Sequence, residues 1–121
     1  MINLQPGRCL SWLRIVFGND TDKEERALRF GEEALELIQS LGVTREQAAD
    51  LVTQVFDKPV GETEQELGGV MVTLASLCAV AELDAEQAFE TEFDRCEQPE
   101  TIEKIKNKHA NKLVVSSRYR R

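Results

Sequence analysis

The chain has 121 residues, 41% of them apolar and 31% charged, with a formal net charge of −7. That is enough for one domain with a real core, and too apolar for a disordered chain. The charge is uneven: residues 104–121 hold seven of the 15 Lys and Arg and no acid, which leaves eight bases against 22 acids, a net −14, over residues 1–103. An acidic body excludes attraction to nucleic acid or an anionic membrane surface, and draws cations wherever its carboxylates converge.

Aromatic residues make up only 6% of the chain, and β-branched residues are scattered, which predicts helices packed through Leu, Ala, Val and Ile. The first helix is expected over residues 8–17, closed by Gly18 and Asn19. A second begins near Asp20 or Thr21, where Thr21 with Glu24 has the form of a capping box, and it runs to Leu41 with Gly42 suited to a left-handed stop. Thr44 with Gln47 repeats the box and opens a third helix, which must end before Pro59. Thr63 with Glu66 repeats it again, opening a central helix that continues to about Glu82. Asp84 with Gln87 starts a fifth that ends before Pro99, and a sixth covers residues 100–113. Four capping signals in register with four apolar runs predict an all-α bundle of five to six helices. Its domain spans residues 1–113, and residues 114–121 form a basic tail expected to be disordered.

Cys9, Cys78 and Cys96 lack the spacing of a zinc site, and their odd number leaves at least one unpaired. Reduced thiols in a cytoplasm fit best, with Cys78 a small residue in an apolar core. No signal peptide is visible, since the apolar stretch at 10–17 is short and interrupted by Ser11 and Arg14. The run at 70–81 is too short to cross a bilayer and reads as a buried helix. His109, alone in a polar helix, is expected in solvent.

Turned through about 100° per residue, the second helix separates into two faces. Ala27, Phe30, Ala34, Leu35, Leu37, Ile38 and Leu41 share one arc; Arg26, Arg29, Glu32, Glu33 and Glu36 lie opposite. The central helix is apolar nearly all round from Leu67 to Ala81, as befits the middle of a bundle or an oligomer interface. Glu62, Glu66, Gly69 and Thr73 form a stripe along it. A carboxylate entering an apolar environment needs a partner. A metal ion, an arginine or a proton would each serve Glu66, and only the metal also accounts for the acids of the second helix. Magnesium takes hard oxygen ligands and sits between carboxylates and substrate phosphates. Glu33 and Glu36 are neighbours one turn apart and can share an ion, Glu66 would face them, and Glu32 or Glu62 would orient a water.

At these residues the chain resembles a known family. Glu32-Glu33-x-x-Glu36, followed after 29 residues by Glu66-x-x-Gly69, is similar to the EExxE…ExxD signature of the all-α nucleoside triphosphate pyrophosphohydrolases of the MazG-like group. The resemblance covers residues 8–112 and is strongest at 29–37 and 66–75. It implies a helical bundle assembled as a homodimer or homotetramer through the apolar central helix. It also implies magnesium-dependent hydrolysis of a nucleoside triphosphate to the monophosphate and pyrophosphate. Position by position, Glu33, Glu36 and Glu66 match the metal ligands, and Glu32 the first acid of the motif. Gly69 stands where the family has an aspartate. Either the site is degenerate, or Glu62, one turn before Glu66, supplies the missing oxygen; the second is preferred because a glycine opens space there. Arg29, Lys104 and Lys108 are candidates for phosphate contact. Trp12 is a candidate for the base, and serves equally as an anchor for the first helix.

The resulting expectation is a cytoplasmic homo-oligomeric hydrolase of nucleoside triphosphates, a housekeeper of the nucleotide pool holding two or three Mg2+ ions. Its rivals are a nucleotide-binding regulatory module that has lost turnover, and an acidic helical interaction protein.

Overall fold

The structure, a computed structural model, describes residues 3–18 and 22–117, the side chains of 112–117 excepted. All of its regular elements are helices: α1 (Pro6–Phe17), α2 (Lys23–Ser40), α3 (Arg45–Phe56), α4 (Thr63–Ala81), α5 (Ala85–Cys96) and α6 (Pro99–Ser117). No strand occurs among the described residues. The all-α expectation therefore holds. No single helix among them is long and apolar enough to cross a membrane.

The helix ends follow local chemistry. Pro6 opens α1, where a missing amide is harmless, and Gly18 closes it at φ 67°. Asp22 Oδ1 accepts the Glu24 amide at 2.9 Å and starts α2; Thr21 lies outside the described residues. Gly42, at φ 97°, turns the chain out of that helix as expected. Thr44 and Gln47 form a reciprocal capping box at α3, and Asp84 accepts the Gln87 amide at α5. α4 begins differently: its cap is Glu62, whose two oxygens accept the Glu64 and Gln65 amides, and Thr63 is the first helical residue. α6 extends to Ser117, so the first four residues of the expected tail are helical; residues 118–121 lie outside the described residues.

Two compact units divide the chain: Met1–Arg26 with Asp84–Arg121, and Ala27–Leu83. In the first, α6 packs against α1 and α5. Among its described residues Val16 and Phe93 are buried and apolar, and Thr101 and Glu25 are buried and polar. The Trp12 indole donates to the Cys96 carbonyl at 2.9 Å and stacks near Phe17 and Phe93, which ties α1 to the end of α5. Arg8 lies over the Phe93 ring and pairs with Glu90 and Asp94 on α5 and with Glu97, which caps its end.

The second unit is of another kind. Not one described residue from 27 to 83 is buried. The apolar stripe of α3 (Leu51, Val52, Val55, Phe56) is open, with Phe56 82% exposed. α4 half-covers Val70, Met71, Leu74, Leu77, Cys78 and Ala81, while Val72 and Val80 on its other side stay exposed, Val80 at 85%. The expectation of a buried central helix and a core Cys78 thus meets a helix covered on one side only within the single chain.

Candidate functional site

Of the residues singled out by the acidic motifs, Glu32, Glu33 and Glu36 stand on α2, and Glu66 occupies the first turn of α4, all within the second unit. Glu33, Glu36 and Glu66 are exposed, and among the described residues no hydrogen bond or ion pair engages their carboxylates. They are hard oxygen donors, which suits a magnesium ion in its chemistry. Their placement is another matter: among the described residues, no three His, Cys, Asp or Glu side chains converge as a metal cage.

Glu32 and Glu36 share the rim of a cavity of about 310 Å³ between α2 and α3. Leu35, Ile38, Val43 and Ala48 supply its apolar wall; Gln39, Thr44 and Arg45 complete the polar rim. No α4 residue lines it. Glu32 also accepts from Arg29 Nη1 at 3.2 Å, an i, i+3 pair along the acidic face. That guanidinium is therefore engaged within the motif.

Glu62 does not extend the α4 stripe as a ligand would. It precedes the helix in an extended conformation, and both its oxygens are turned to backbone amides. A carboxylate that already accepts two amides is costly to redirect, because both bonds must be given up. Gly69 has open space around it: a Cβ built there would meet nothing within 4 Å. The same is true of Gly68. Gly61 differs, because a Cβ there would overlap Glu66 Oε1. This glycine lets the Glu66 side chain fold back over the start of α4. Nothing in the sequence beyond a glycine five residues before an acid announced that role.

The remaining candidates belong to the first unit. Lys104 and Lys108 are exposed on α6. Trp12 serves there as the anchor of α1, through its indole bond and ring contacts.

His109 is a correction. Its ring packs 4.4 Å from that of Phe17, its side chain is only 15% exposed, and Nδ1 lies 3.9 Å from Oε1 of Glu25. Arg26 covers the same Phe17 ring at 4.3 Å. An imidazole is flat and half apolar, so it stacks where a lysine of the same helix would leave for solvent. Glu25, 1% exposed, is the most buried charged residue of the described chain, and the alternating charges around it hid it in the sequence.

All three cysteines are free. No family model, curated protein or solved structure matches the chain.

Proposed function

We propose that the chain is a magnesium-dependent nucleoside triphosphate pyrophosphohydrolase of the cytoplasm, working as a homo-oligomer joined through α4. The observation that supports this reading is a set of three unengaged carboxylates, Glu33, Glu36 and Glu66, in one unit, with Glu32 and Glu36 on the rim of a cavity large enough for part of a nucleotide. Glu33, Glu36 and Glu66 would hold the ion, which when bound neutralises phosphate charge and acidifies a water. Glu32 takes the water-orienting role, because Glu62 is occupied as a helix cap. Arg29, paired with Glu32 at 3.2 Å, holds that side chain in place.

The test is a panel of nucleoside triphosphates incubated with purified protein and magnesium and assayed for pyrophosphate, with Glu36→Gln as the blank. Release by the wild type and not by the variant is the expected result. Equal, background-level release by both removes the hydrolase reading.

One observation favours a second reading, that of a helical interaction module: the second unit has no buried side chain and three helices with exposed apolar residues. A thermal melt separates the two. A real site gains stability with magnesium and nucleotide; a module whose acids only solubilise it does not.

A further inference from the structure

We infer that His109 and Glu25 form a proton-operated clamp in the first unit, closed when the imidazole is charged and loosened when it is neutral. The clamp joins α6 to the first turn of α2 across the Phe17 ring of α1. It is independent of the hydrolase reading, whose acids stand in the second unit.

Three elements supply its parts. Glu25 is 1% exposed, although Lys23 and Glu24 of the same turn stand in solvent. His109 comes from α6, and its Nδ1 lies 3.9 Å from Glu25 Oε1. Phe17, the last residue of α1, stacks on the imidazole at 4.4 Å and covers one face of that ring. A charge-assisted N–H···O bond is about 2.8 Å long, so the pair stands within reach of a tighter contact that a proton on Nδ1 would draw shut. A carboxylate this far from water gains from each positive charge placed beside it. His109 is the sole histidine of the chain, and histidine is the side chain that ordinarily changes charge between about pH 5 and 8.

The surrounding charges decide whether the proton is held. Arg26 lies over the same Phe17 ring at 4.3 Å and opposes a second positive charge there. Arg26 is only half-buried, so water and salt screen it, whereas a carboxylate at 1% exposure is screened far less. Asp22, just before α2, adds negative charge at the same helix start and accepts the Glu24 amide. On α6, Glu103, Lys104, Lys106 and Lys108 are exposed, as is Arg14 on α1. Of the acids on α5, Glu90 and Asp94 are taken by Arg8, Glu92 by Arg95, and Glu86 is exposed. Glu25 therefore dominates, since an opposite charge within about 4 Å favours the charged imidazole. A proton held more tightly in the folded chain than in the unfolded one stabilises the fold below the ordinary histidine value of about 6.5. That stability is lost as pH rises through the folded midpoint. In mild acid α6 is clamped; in mild base it opens locally more often.

Nuclear magnetic resonance of the full chain reads the clamp directly, because one histidine gives one set of imidazole signals. The expected result is a titration midpoint above the ordinary histidine value. Backbone amides of α6 around His109 should also exchange with solvent about fivefold more slowly near pH 6 than near pH 8, after correction for the intrinsic pH dependence of exchange. Glu25→Gln keeps the shape of the acid and removes its charge. In that variant the midpoint should fall, and the pH dependence of α6 protection should vanish. His109→Gln cannot titrate and should show equally flat protection with Glu25 intact, which keeps the second readout available if Glu25→Gln does not fold. A wild-type midpoint at or below the ordinary value overturns the inference, because burial and Arg26 then outweigh Glu25. So does a raised midpoint with α6 protection indifferent to pH, which leaves a charge pair and no clamp. An unchanged midpoint in Glu25→Gln overturns it as well, since another group would then hold the proton.

Discussion

Two single residues carry consequences out of proportion to their size. Arg8 holds two carboxylates of α5 and that of its capping residue Glu97, and covers the Phe93 ring; its hydrogen bond, followed by that of Gln5, keeps the Glu90 carboxyl below its ordinary value. A carboxyl lowered in the folded state adds stability above its unfolded pKa and loses it as pH falls through the folded one. The first unit should therefore weaken on acidification below the usual glutamate range, and Arg8→Met should lower Tm at neutral pH while flattening that acid limb. Added salt should narrow the difference between wild type and variant, because the pairs are partly exposed. Differential scanning calorimetry across pH and salt tests all three. Gly69 is the second residue. With open space at its missing side chain, Gly69→Asp should be accommodated, and a carboxylate one turn from Glu66 should tighten magnesium roughly tenfold, about 1.4 kcal/mol. Calorimetric titration with magnesium measures it; an unchanged affinity would place position 69 outside the site.

At the scale of elements, the helices were legible because their ends are written in short-range chemistry. Thr44 with Gln47, Asp84 with Gln87, and Gly42 each act through atoms within four residues, and each does in the structure what its spacing implied. Replacing Thr44 by alanine removes half of a capping box and should cost about 1 kcal/mol, seen as a lower midpoint in urea with an unchanged slope. The same locality explains the slips. Glu62 and Thr63 are adjacent acceptors at the start of α4, and only the backbone geometry of residue 62 decides between them. α6 starts at Pro99 because a proline is tolerated in a first turn as readily as it blocks the helix before it. His109 was misplaced for a different reason: its neighbour Phe17 is 92 residues away, and no pattern along α6 registers a ring arriving from α1.

The whole molecule shows why the candidate site was only half readable. Acids on α2 and α4 are visible as residue types at helical spacing, whereas whether they meet depends on which faces pack, and among the described residues they form no metal-holding group. The apolar run of α4 announced a need for cover without saying whether the cover is the same chain or another copy. If it is another copy, thermal stability should rise with protein concentration, and Val80→Glu should abolish that dependence while leaving helix content intact, since Val80 makes little contact within the chain. Circular dichroism melts over a hundredfold dilution series would decide it; a Tm indifferent to dilution would count against the interface. The segment between α3 and α4 has a further consequence. Val60 stands fully clear of the chain, at 101% exposure, directly before Gly61. An elastase, which cleaves after small aliphatic residues, should make its first internal cut there and part α3 from α4. Such a nick would sever the chain between the helix that carries Glu32 and Glu36 and the one that carries Glu66 without altering a single side chain.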